Sequence, residues 1–132
     1  MPTMELTYET LTEKLEGHFG SEHFYPVNPF FRGIVVTEGV KDFLETCSCF
    51  WLMDEILFGL HKKHLLNPDF LLITIKVGKT GKITVEASED SGEEPLFKKS
   101  YKDLCKVIPS TPKGKGYKFY FGNGTFLLPS EY

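Results

Sequence analysis

At Asn67-Pro68 the hydrophobic period of this chain changes from nearly four residues to two. Before that point Val40, Phe43, Leu44, Cys47, Phe50, Trp51, Ile56, Leu57 and Leu60 recur at helical spacing, with Lys41, Asp42, Glu45 and Ser48 on the opposite side. Beyond it, Phe70 to Val77 and Lys82 to Ala87 alternate around the glycine-bearing turn Gly78-Lys79-Thr80-Gly81, the pattern of a hairpin. Ile73, Ile75 and Val77 should then share one face with Ile83, Val85 and Ala87. Such a chain must lay a helix stripe on one side of a sheet, because neither surface can stay in water alone.

Local signals fill in the rest. Thr10-Leu11-Thr12-Glu13 has capping-box spacing and predicts a short helix through Leu11 and Leu15, with Gly17 or Gly20 as its stop. Thr37 is the expected N-cap of one long helix that runs unbroken to His61-Lys62-Lys63-His64, whose cations suit a helix C-terminus. From Phe50 to Met53 that helix is apolar all round, so this part should be covered on more than one side. Gly33 to Val36 reads as a short edge strand, and Leu96 to Tyr101 as a further strand after the acidic loop Glu89 to Pro95. Pro109 to Gly116 reads as the most flexible stretch. A last hairpin follows, reversing at Gly122-Asn123-Gly124 and closing on Pro129-Ser130-Glu131-Tyr132, an end we expect to be packed or kept for docking. The predicted fold is α+β: one domain over residues 1–132, with an antiparallel meander of four to five strands. One long and one short N-terminal helix should pack on one face of it.

Composition narrows the function classes. The formal charge of -3 is split, with ten acids and five bases in residues 1–66 against eight acids and ten bases in residues 67–132, or -5 and +2. Arg32 is the sole arginine, and arginine is the side chain best suited to bidentate grip on phosphate or guanine, so general nucleic-acid affinity is disfavoured. No apolar run approaches the roughly 20 residues needed to cross a bilayer, and no export signal is evident. We therefore expect a cytoplasmic protein with no membrane partner. Cys47, Cys49 and Cys105 should be reduced core thiols, with the first two on opposite faces of the helix.

Three groups of residues are candidates for function. Residues 19 to 33 hold Phe19, Phe24, Tyr25, Phe30 and Phe31, too many rings for an ordinary exposed loop, so the segment should close over the core or offer a docking surface. Phe24, Tyr25, Phe31 and Arg32, together with Ser130, Glu131 and Tyr132, are the expected protein-binding residues. Asp54 falls on the apolar stripe with Trp51, three residues before it. It is read either as a base or ligand anchor beside Ser21, Glu22 and His23, or as a tether taking donors from the aromatic loop. The third group is the basic stretch from Lys98 to Lys118, in which Lys98, Lys99, Lys113, Lys115, Tyr117 and Lys118 would serve nucleic acid. Lys115 to Phe121 partly echoes an RNA-recognition strand, although Lys118 and Gly122 break that pattern and core-facing rings explain it better. His18, His23, His61 and His64 lack the carboxylate or thiolate spacing of a metal site, and no phosphate loop or nucleophile elbow is present. No catalytic residue, metal or cofactor is therefore expected.

Gly20 to Tyr25, Val35 to Lys41, Phe50 to Asp54 and Phe126 to Tyr132 together resemble an uncharacterised family of small proteins carried mostly by bacterial plasmids and phages. The shared marks are a Gly-Ser-Glu with aromatics, a Thr-acid-Gly-Val-Lys helix start, an aromatic-Trp-Leu-x-Asp centre and a Leu-Leu-Pro-Ser-Glu-Tyr ending. Here Phe126 replaces a smaller aliphatic, and Pro109 to Gly116 looks like an expansion. The resemblance implies an accessory or counter-defence role, in which the protein binds a host or element-encoded protein stoichiometrically. A homo-oligomer, nucleic-acid binding and a small enzyme built on Asp54 remain the alternatives.

Overall fold

A computed structural model describes residues 7–17, 23–31, 33–65, 70–89, 94–102, 108–112 and 115–131. The elements run α1 (Tyr8–Glu16), β1 (Phe24–Pro26), β2 (Val35–Thr37), α2 (Glu38–Thr46), α3 (Phe50–Lys62), β3 (Leu71–Val77), β4 (Lys82–Ser88), β5 (Phe97–Lys102), β6 (Tyr117–Gly122) and β7 (Thr125–Leu127), followed by a 3₁₀ turn at Pro129–Glu131. The fold is α+β, and the strands form one sheet in the order β1-β2-β7-β6-β3-β4-β5.

The β3–β4 register sets Ile73 opposite Ala87, Ile75 opposite Val85 and Val77 opposite Ile83, as the alternation predicts. Asn123 and Gly124 both have positive φ, the geometry of a tight primed hairpin turn, and they join β6 to β7. A side chain at Gly124 would strike the Gly33 carbonyl at 2.6 Å, so this turn can approach the preceding loop only as glycine.

Two expectations about architecture are corrected. The sheet is not an antiparallel meander of four to five strands. It has seven, because the aromatic segment adds β1, and β2, at the expected edge strand of Gly33 to Val36, lies inside the sheet, pairing in parallel with β7 through Val35–Thr125 and Val36–Phe126. Three-residue strands are too short to show a period, and a parallel pairing between distant segments leaves no local mark. The long helix is also interrupted. Ser48 takes a left-handed φ of 50° and the Cys49 N–H reaches back to the Leu44 carbonyl, ending α2 and restarting α3 at Phe50. The buried stripe shifts at this break, from Val40, Phe43, Leu44 and Cys47 to Leu52, Met53, Ile56, Leu57 and Leu60, so Phe50 and Trp51, expected on it, are exposed. Cys47 and Cys49 are consequently both fully buried rather than opposed, and Cys105 lies outside the described residues.

The start of α1 also shifts. Thr7, not Thr10, is the N-cap, and Thr10 closes the capping box from the third helical position.

Helices and inner sheet face enclose one hydrophobic cluster, in which Phe43 meets Phe119 edge-on at 5.2 Å and Phe121 stacks on Phe126 at 4.0 Å. On the outer face Leu72 is covered where Phe70 leans on Tyr120, while Lys76, Lys98 and Lys118 stand in solvent. No helix among the described residues is long and apolar enough to cross a membrane.

Candidate functional site

The aromatic surface is built from a turn and one helix face. Asn28 begins the turn: its side-chain oxygen accepts from the Phe30 N–H at 2.9 Å and its backbone carbonyl from the Phe31 N–H at 3.0 Å. Its side-chain amide donates to Asp54 Oδ1 at 3.1 Å, which fastens the turn to α3. Phe31 is buried and packs edge-on to Phe58 at 5.0 Å and to His61 at 5.9 Å. Phe30 is left outside, 68% exposed, with its ring 5.7 Å from that of Phe58, itself 42% exposed. Trp51, seven residues before Phe58 on the same helix face, is also exposed. The stretch from Phe50 to Met53 is therefore not covered all round: Leu52 and Met53 are buried, whereas Phe50 and Trp51 face solvent.

The carboxyl-terminal segment has the opposite character. Glu131, expected on a docking surface, is turned inward and only 8% exposed. Its carboxylate accepts from the Thr37 hydroxyl at 2.6 Å, the Gly39 N–H at 3.2 Å and the Leu128 N–H at 3.1 Å. Thr37 makes no side-chain cap to its own helix, so Glu131 supplies from afar the acceptor and the negative charge that the α2 N-terminus needs. Gly39 leaves room for this contact, since a Cβ would lie 2.5 Å from Glu131 Oε1 and from Leu128 Cδ1 and force those side chains to shift. Ser130 remains exposed.

Around this clamp, Lys41 Nζ sits 4.1 Å above the Tyr25 ring and His23 Nε2 lies 3.9 Å from Glu38 Oε1. Phe24 is exposed beside them. Ser21, Glu22, Arg32, Lys113 and Tyr132, all expected site residues, lie outside the described residues, as does Phe19.

The basic group does not form one face. Lys98 and Lys118 are on the outer sheet surface, where Lys98 and Lys76 share Glu86 at 3.5 and 3.3 Å. Lys99 instead approaches the Tyr101 ring at 5.5 Å, and Lys115 rims a cavity beside β6 that Lys118 also lines. Tyr117 faces the core, as the preferred reading of its strand has it and not the base-stacking alternative, and its hydroxyl donates to the Pro109 carbonyl at 2.8 Å. Burial, reinforced by nearby Cys47, Tyr8 and Glu9, pushes its pKa up. Burial and then the Glu55 charge raise Tyr101 from 10.0 to about 12. Among the described residues, no three His, Cys, Asp or Glu side chains cluster in a way that would hold a metal ion.

A family model covers residues 9–132. The chain belongs to DUF6876, a family of unknown function. No curated protein and no solved structure matches it. Within this family member, three of the four stretches singled out in the sequence touch one another, and the Phe50-to-Asp54 stretch reaches Asn28, outside all four. The Thr37-Glu38-Gly39 helix start binds the Glu131 of the ending, the His23-to-Tyr25 segment touches Glu38 and Lys41, and Asp54 holds the loop that follows it.

Sequence reasoning missed Asn28, Gly39 and Phe58. Phe58 carried a usable signal: it is a large ring between the buried pairs Ile56–Leu57 and Gly59–Leu60, off the stripe. Asn28 before Pro29 marks a turn, but its bond to Asp54 could not be read locally.

Proposed function

We propose that this domain is a non-enzymatic module that binds another protein stoichiometrically through the surface formed by Phe30, Phe58 and Trp51. The observation that carries the reading is Phe30 held 68% exposed against a half-open Phe58, on a turn pinned by Asn28 and Asp54. Aromatic anchors presented on a rigid support lose little entropy on docking and are the residues that dominate interface energetics. The likeness to plasmid- and phage-borne proteins supports a host or element-encoded partner, and a component of a host defence system is the class we favour. The test is quantitative capture from the native host, comparing the natural chain with a Phe30→Ser/Phe58→Ser double variant. The variant should melt as the natural chain does and lose the captured protein. Capture that survives the double change overturns the reading.

A second reading, nucleic-acid binding, draws on the lysines of the outer sheet face: Lys76, Lys82, Lys98, Lys102 and Lys118 surround a single acid, Glu86. Neutralising phosphates would make affinity fall steeply with salt, and a flat filter-binding titration at low salt would remove this reading.

A further inference from the structure

Among the described residues, strand β6 is paired along more of its length on one side than on the other. Tyr117, Lys118 and Phe119 pair with Ile75, Thr74 and Ile73 of β3, but β7 covers only Tyr120, Phe121 and Gly122. The chain leaves the sheet after Leu127 because Glu131, drawn onto Thr37 and Gly39, pulls the last turn toward the α2 N-terminus. A gap about 10 Å long, three residues at roughly 3.3 Å each, is left inside the sheet. Backbone N–H and C=O groups alternate sides along a strand, so at least one residue of the three aims both into that gap.

A cavity of about 420 Å³ lies against this edge. Tyr8 and Leu15 of α1 form its apolar wall, Pro129 and Ser130 the opposite one, and Lys115 and Lys118 stand at its rim with Glu16 as the only acid among its described lining residues. The outer edges of the sheet are guarded differently. β1 ends at Pro26 and β5 carries Lys98, Lys99 and Lys102, devices that discourage a further strand. The β6 gap has only Lys118 on its exposed side.

We propose that this gap receives an extended peptide of the partner, which adds as a strand antiparallel to β6 in line with β7. This rests on the protein-binding reading and gives it a mode, β-strand addition, in which main-chain bonds supply affinity and alternate side chains supply selectivity. Tyr117 and Phe119 face the helices, so peptide residues beside them point toward Tyr8 and Leu15 and should be apolar. The residue beside Lys118 points to the open face and should be acidic, matching the excess of lysine over acid at the rim. The recognised sequence is therefore apolar-acidic-apolar.

The experiment titrates the isotope-labelled full chain with a capped Thr-Val-Glu-Val-Thr peptide and follows backbone amide shifts and hydrogen exchange. The expected result is saturable shifts and slowed exchange at Tyr117 to Phe119. Methylating the peptide's alternate backbone nitrogens should abolish both. Lys118→Glu, an exposed change opposite Thr74, should weaken the acidic peptide about two- to fivefold and favour its lysine counterpart. Equal binding by the methylated peptide, shifts confined to Phe30 and Phe58, or no shift at Tyr117 to Phe119 would overturn the proposal. If capture still depends on Phe30 and Phe58 in that case, strand addition alone has failed. If capture is indifferent to them, the protein-binding reading has failed first.

Discussion

Glu131 and Phe30 exchange the places that their chemistry would assign them. The carboxylate is buried and receives three donors, while the phenyl ring is two-thirds exposed on a turn that costs several hydrogen bonds to hold in place. The difference lies in what each finds nearby. Glu131 meets the N-terminus of α2, where an anion is stabilised, whereas Phe30 lies above Phe31 and Phe58, with no further element among the described residues to cover it. A charged residue can therefore be framework and an apolar one surface.

The largest effect that would break this comparison is expected at Glu131. Glu131→Ala strands the Thr37 hydroxyl and the Gly39 and Leu128 amides in a buried site, and should cost about 4 kcal/mol in urea unfolding. A loss under about 1 kcal/mol would show that the clamp is incidental. Phe31→Ala should cost about 3 kcal/mol, because Phe31 supports both Phe30 and Phe58 from within the core. Gly39→Ala gains about 1 kcal/mol of helix propensity but forces a clash with Glu131 and Leu128 worth about 1–3 kcal/mol. The net expectation is a loss near 1 kcal/mol, and a more stable variant would mean that Glu131 can move.

Alkaline titration sharpens the contrast on the packed side. Tyr101 has a folded pKa of about 12 against 10.0 for the free group, so the folded state holds its proton more tightly. The stability this contributes is complete below pH 10 and disappears as the pH rises through about 12. Tyr101→Phe should flatten that decline in the unfolding free energy, and an unchanged slope would contradict the assignment. The smallest effect is expected at Phe30→Ala, within about 0.5 kcal/mol of the natural chain, although Phe30 is adjacent to Phe31 in sequence. A large loss there would make Phe30 part of the core and deprive the docking surface of its anchor.

Much of the framework was legible. The β3–β4 register follows from alternation, the last hairpin from Asn123-Gly124, and the buried stripe from its spacing on either side of the break, at Val40 to Cys47 and at Ile56 to Leu60. The break at Ser48 was not, since Phe50 and Trp51 continue the helical spacing from Cys47 in sequence, whereas the fold shifts the buried side to Leu52 and Met53 and leaves those two rings exposed. The site was legible only in part. A crowd of rings at residues 24 to 31 announced an unusual segment, and Asp54 announced a need for a donor, but neither named Asn28 as that donor or Phe58 as the ring beneath Phe30. Tyr117 was legible: its strand partly echoed a base-stacking platform, but the broken pattern favoured a core-facing ring, and burial against Phe43 and Tyr8 removes its face from solvent.

Local chemistry determined by itself which segments become helices or strands and which side of each avoids water, because capping, turn geometry and hydrophobic period act over a few residues. Tertiary structure alone decided that β2 closes on β7, that Glu131 caps a helix starting 94 residues earlier at Thr37, and that β7 stops short of covering β6. The physical reason is that a period identifies the face that must be buried. Only the folded chain determines what arrives to bury it, and which rings and strand edges are left without cover.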